Sequence, residues 1–190
     1  MKEFNEKEFT NDWNSFWENM EKAELTSFYK EEGLKNVLME APGAIDEDSG
    51  TAYPGGLIRH IVLSTALAQR VAKMVANTFT IDEKSLLKVC LLLHLSKIGM
   101  YVKNDNDWEV KNRGKYYKFS DLSGRLKFGE RSILQAMNRG IKLEPTEFEA
   151  MRCIDRKNED NRVSELFDDI LSIIVRQANE LAYAIEKKKA

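Results

Sequence analysis

An all-α domain carrying one small β-hairpin is the fold class this sequence predicts. Apolar residues recur at helical spacing through most of the chain, and helix start and stop residues bracket those stretches. Strand-type patterning is confined to one short segment after His94. At 190 residues the chain is long enough to bury a sizeable core as one domain. We read that domain as 1–190, with 1–50 an acidic helical lead-in and 51–190 the core.

The elements follow in order. Phe9, Trp13, Phe16, Trp17 and Met20 share one helical face and predict a first amphipathic helix. Leu25 to Ala41 predicts further helix, interrupted at Gly33 and stopped before Pro42. The stretch APGAIDEDSGTAYPGG concentrates Gly, Pro, Asp and Ser. A linker and a surface loop both fit it, and the surface loop is preferred because the preceding helices are too few to form a core alone. Leu57 to about Asn77 is helical throughout. Thr80 and Glu83 have capping-box spacing and open a helix through KSLLKVCLLLHL, whose nearly unbroken apolar run predicts a central position. MYVKNDNDWEV and GKYYKFS are two strand-type runs separated by polar turn residues and Gly114, which gives the hairpin. Helical spacing resumes near Glu130 and stops at Gly140. Pro145 opens a helix that runs to about Lys157. A last helix covers Val163 to Lys187, with the lysines from Lys187 to Lys189 suited to its C-terminus.

Composition excludes several function classes. The apolar fraction is 43% and the charged fraction 32%, ordinary for a globular protein. No apolar run approaches the roughly 20 residues that span a bilayer, so no membrane partner is expected. The N-terminal MKEFNEKEF is charged from its second residue, unlike a signal peptide, which makes the cytoplasm the expected location. Cys90 and Cys153 form neither a disulfide framework nor a zinc knuckle, and Cys90 lies in the apolar run VCLLL. A net charge of −2 argues against a globally basic nucleic-acid binder. Locally the picture differs. Residues 1–50 carry thirteen Asp/Glu against five Lys/Arg, whereas 111–131 carry seven Lys/Arg against Asp121 and Glu130, a balance of +5. That basic run interleaves with Tyr116, Tyr117, Phe119 and Phe128. Such a segment either holds phosphates and stacks bases, or is a hairpin with one solvated face and its aromatics packed inward.

His60, in YPGGLIRH, and His94, in LLLHLSKIG, are the only histidines. The segments GGLIRH and LLLHLSK, in this order and with a helix between them, resemble the first two motifs of the HD phosphohydrolase superfamily. FYKEEGLKNVLMEAPGA, FGERSILQAM, PTEFEAMRC and IVRQANELA continue the likeness to phage- and bacterial-type HD hydrolases over about residues 25 to 185. The resemblance implies an HD-type helical bundle with the hairpin inserted after the His94 helix. It also implies a divalent metal held by a His, a His-Asp pair and a distant Asp, which activates water against a phosphoester.

This chain departs from that pattern. Leu95 stands where the paired Asp belongs and Asn179, in ANELA, where the distant Asp belongs. Phe128 and Ile154 replace histidines that other members use for a second metal. Both carboxylates that would neutralise a cation are gone, although Asn179 keeps a neutral carbonyl oxygen. We therefore expect no tightly bound cofactor, with a divalent metal only if His60 and His94 still form a working site. Lys97, in HLSK, is the candidate catalytic or phosphate-facing residue, or else a solvated lysine after a helix. Glu130 and Arg131 are pocket residues or a helix start, and Asp155 is a conceivable replacement ligand.

Three functions remain open at this point. The preferred one is a catalytically impaired relative that binds a phosphate-bearing ligand, nucleotide or nucleic acid, through Lys97, Lys115, Lys127, Glu130, Arg131, Tyr116 and Tyr117. The others are a metal-dependent phosphohydrolase rebuilt around Glu130, Asp155 or Asn179, and a structural or partner-binding protein that uses its acidic N-terminal helices. Ligand identity and oligomeric state are not written in the sequence.

Overall fold

Helices dominate the computed structural model, which describes residues 4–121, 126–155 and 169–189. Helix α1 (Glu6–Lys22) starts where the Asn5 side chain accepts from the Lys7 and Glu8 amides. Its Phe9, Trp13, Phe16 and Met20 are buried in the same apolar cluster as the helices that follow. The lead-in is thus built into the core. Arg59 adds a polar tie between the two parts, donating to Asp12 of α1 at 2.9 Å.

Helix α2 (Glu31–Glu40) runs through Gly33 without interruption. The expected break falls earlier, at a single 3-10 turn over Thr26–Phe28. One glycine costs a helix only about 1 kcal/mol, which the burial of Leu34 and Leu38 outweighs.

The Gly/Pro-rich stretch after α2 reaches the surface at Glu47 and Asp48, as expected of a surface loop, but both of its ends are buried. Thr51, Ala52 and Tyr53 are buried, and backbone bonds from Gly43 to Thr51 and from Leu57 to Ala41 close the loop on itself. Two glycines make that possible. Gly50 lies in the left-handed region (φ 74°), and a Cβ there would fall 2.4 Å from the Glu186 carbonyl oxygen. A Cβ on Gly56 would fall 2.0 Å from that of Thr51.

Helix α3 (Gly56–Val75) and helix α4 (Glu83–Leu95) pack together, and α4 is central, with every residue from Val89 to Leu95 buried. Asp82 caps α4 by accepting from Ser85 N at 2.9 Å, in place of the expected Thr80 box. After α4, strand β1 (Tyr101–Lys103) pairs antiparallel with β2 (Tyr117–Phe119), placing Tyr101 opposite Phe119. The first predicted strand is shorter than the sequence suggested. Trp108, Glu109 and Val110 belong to a short helix α5 (Asp107–Arg113) between the strands, because the Asn106 side chain accepts from Trp108 N and Glu109 N and starts a turn.

Helix α6 (Phe128–Asn138) and helix α7 (Pro145–Cys153) follow, with Pro145 at the first turn as expected. Helix α8 (Ile170–Lys189) closes the fold against α3 and α7. Helix α7 ends at Cys153 with Ile154 as its cap, short of the expected end near Lys157; Lys157 itself, the expected start of the last helix at Val163 and the basic residue Arg125 lie outside the described residues. Among the described residues, no helix is long and apolar enough to cross a membrane.

Candidate functional site

Both histidines lie on facing helices and meet inside the bundle. The tightly folded loop before α3 fixes its first turn, so His60 points inward one turn later; the apolar run of α4 carries His94 to the same depth. The rings sit edge to face with centroids 4.8 Å apart, and each residue is at most 1% exposed.

Their partners come from α3 and α8. His60 Nδ1 lies 2.8 Å from Glu186 Oε2, and Nε2 lies 3.1 Å from Asn179 Oδ1. Two acceptors on one imidazole would require an imidazolium. Burial, followed by the charge of Lys97, pushes the His60 pKa down, against the pull of Glu186. We therefore read His60 as neutral, protonated on Nδ1 toward Glu186, with the Asn179 amide turned so that its NH₂ donates to Nε2. His94 Nε2 meets Ser64 Oγ at 3.1 Å, and burial pushes its pKa well below the usual value, with Lys97 and then His60 adding to the effect.

Lys97 is not a solvated lysine. It is 5% exposed, its Nζ donates to the Tyr183 hydroxyl at 2.6 Å, and it lies 5.0 Å from the ring centroids of both Phe128 and Tyr183. Burial brings its pKa down to about 8, opposed by the charge of Glu186. Tyr183 in turn lies against His60 with centroids 4.4 Å apart, and Phe128 lies 6.1 Å from the His94 ring. His60, His94, Lys97, Asn179, Tyr183 and Glu186 are one cluster, with Phe128 and Tyr183 half-buried at its edge.

Other predicted site residues are placed elsewhere. Leu95 is buried apolar core. Glu130 is exposed and accepts from the Lys127 backbone amide at 3.0 Å, while Asp155 accepts from Gly129 N at 2.7 Å. Both carboxylates are thereby committed to the start of α6. Ile154 packs partly buried against the core. Arg131 Nε donates to the Ser96 carbonyl at 2.7 Å, satisfying a carbonyl at the end of α4. Lys127 is exposed at the α6 N-terminus.

The hairpin residues keep their own company. Lys115 Nζ is 3.4 Å from Glu109, Lys118 donates to Asp105, and the Tyr116 hydroxyl donates to Glu47 at 3.1 Å. Tyr117 is 4% exposed, so its ring has no open face for a base. An isolated β-bridge between Asp46 and Lys115 lays the acidic loop along the hairpin.

The chain matches no protein-family model, no curated protein and no solved structure.

Of the donors in the cluster, both His60 nitrogens are engaged and Asn179 is uncharged, whereas His94 Nδ1 and Glu186 Oε1 are buried without a hydrogen-bond partner. Glu186 and Tyr183 are the site residues that sequence reasoning missed. Each is four residues from a member of the quoted ANELA motif or its neighbour, so a helical-wheel projection of α8 from Asn179 would have put both on the inward face.

Proposed function

We propose that this chain is a non-catalytic HD-type domain that binds a phosphate-bearing ligand, a nucleotide or a nucleic-acid end, beside the His60–His94–Lys97 cluster. The observation that carries the reading is Lys97. Its ammonium is buried, its hydrogen-bond partner is a neutral phenol, and desolvation outweighs the help it gets from Glu186. A cation that is under-compensated in this way gains from an anion. The half-buried rings of Phe128 and Tyr183, flanking Nζ, are where an anion would approach.

The HD-type assignment rests on the motif resemblance and on the closeness of the two histidines, which in that family share one centre. The non-catalytic assignment rests on the donor set. Leu95 and Asn179 supply no charge, and Glu130 and Asp155 are engaged at α6.

Titration of inorganic phosphate, mononucleotides and single-stranded RNA into the wild type and Lys97→Met tests this. Binding that Lys97→Met weakens at least about tenfold, and that added salt weakens, is expected. Metal-dependent phosphoester turnover by the wild type, abolished by His94→Ala, would establish a phosphohydrolase instead. Absence of binding by either protein would favour a partner-binding role. For that second reading the supporting feature is a groove of about 180 Å³ whose apolar floor is Ala72, Ala76, Phe79, Ile81 and Leu86, edged by Gln69, Lys73 and Glu83.

A further inference from the structure

We infer that the groove at the corner of α3 and α4 is a self-association surface, in which a second copy of this chain seats its Phe79 against Ala72 and Ala76 across a two-fold axis. The groove lies at the opposite end of the helix pair from the His60–His94 cluster, so the inference stands apart from the phosphate reading. It gives a definite occupant to the surface on which the partner-binding alternative rests.

Shape is the first argument. Gln69, Ala72, Lys73 and Ala76 recur at i, i+3, i+4 and i+7 and so share one face at the end of α3. Glu83 and Leu86 come from the start of α4, and Phe79 and Ile81 from the segment that joins the helices. Leu86 belongs to the core cluster, with Ala72 and Ile81 packed against it, so the groove lays open the edge of the core. The short side chains of Ala72 and Ala76, one helical turn apart, leave a hollow that a ring can fill. Phe79, 44% exposed, is such a ring on the same patch. In the monomer both ring and hollow stay in contact with water, and association removes both from it. A two-fold interface needs knob and hole on one surface, because each copy must give and receive the same contact.

Charge is the second argument. The groove is edged by Lys73 on α3 and Glu83 on α4. Lys73 is exposed, and its ammonium has no ion-pair partner among the described residues. Glu83 is held at the edge by the Gln69 amide, which donates to Oε1 at 3.2 Å and leaves Oε2 for a second donor. A partner that brings one sign of charge satisfies one edge only. A second copy, turned about a two-fold axis at the groove, brings Glu83 to Lys73 and Lys73 to Glu83. Both edges are then paired.

Sedimentation velocity of the full chain over a range of concentrations tests this, with circular dichroism to check that each variant is folded. The wild type should show a monomer–dimer equilibrium that added salt weakens. Phe79→Glu should abolish it. Lys73→Glu and Glu83→Lys each place like charges across the interface and should raise the dissociation constant at least about tenfold. An equal mixture of those two variants should dimerise again, within about threefold of the wild type, because each copy supplies the charge the other lacks. A wild type that stays monomeric at every concentration, a dimer untouched by Phe79→Glu, or a mixture that stays monomeric overturns the inference. The first of these outcomes leaves the groove to an unlike partner. Phosphate binding at Lys97 is a separate matter, and Phe79→Glu should leave it within about twofold of the wild type.

Discussion

Single side chains in the cluster set how the fold responds to pH. His60 and His94 are both held neutral, by burial first and then by the Lys97 charge. The unfolded chain takes up protons on these rings below about pH 6.5, while the folded chain refuses them. Stability from this source is therefore whole above about pH 6.5 and falls as the pH drops below it. Ser64, Asn179, Tyr183, Phe128 and Glu186 contact the two rings, and Lys97 lies behind Tyr183 and Phe128. His94→Gln should flatten the acid limb, measured as a smaller loss of urea midpoint between about pH 7.5 and about pH 5 than the wild type shows. Tyr183→Phe removes the hydrogen-bond partner of Lys97 and should cost about 1–3 kcal/mol in the same assay near neutral pH. The sequence announced His60, His94 and Lys97 because they fall in short motifs. It hid the pairing of Glu186 with His60, 126 residues away, because the periodicity of α8 can place Glu186 on an inward face but cannot name its partner.

Among the elements, α4 organises the rest through polar ties at both ends. Lys88 and Glu147 form a 2.7 Å ion pair with side chains 12% and 3% exposed, and Ser85 donates to the same carboxylate. Removing one partner leaves the other buried and unpaired. Lys88→Ala should thus cost about 3 kcal/mol or more, while the paired change Lys88→Met with Glu147→Leu should cost far less. Chemical denaturation of the three variants decides between them. At the far end, Ser96 collects Arg131, Gln135 and Ser132 from α6, a latch that holds Phe128 against the cluster. Helices with long apolar periodicity were legible in the sequence, as was the central place of α4. Short elements were not. A run such as DWEV serves a strand or a helical turn equally well, and the Asn106 cap decided for the turn.

Across the whole molecule, part of the basic run finds acidic partners close by: Lys115 and Lys118 pair with Glu109 and Asp105, while the loop at Asp46 bridges Lys115 through the backbone and Glu47 accepts from the Tyr116 hydroxyl. A ligand's phosphate should then feel Lys97 far more than the hairpin. Single-stranded RNA should bind no more than a few-fold tighter than a mononucleotide, and Lys115→Ala should leave both affinities within about twofold in a fluorescence titration. The charge runs were legible from the sequence, but the pairing of Lys115 and Lys118 was not, since it depends on how the hairpin and α5 fold. Two buried thiols sit at different points along their helices. Cys90 sits mid-α4, its pKa raised to about 12 by burial, and Cys153 ends α7; both are about 1% exposed. They are internal clocks. Under native conditions an alkylating reagent reports how often each sulfur is uncovered, and Cys153, at the end of its helix, should be modified well before Cys90, in mid-helix, whose labelling rate should track global opening.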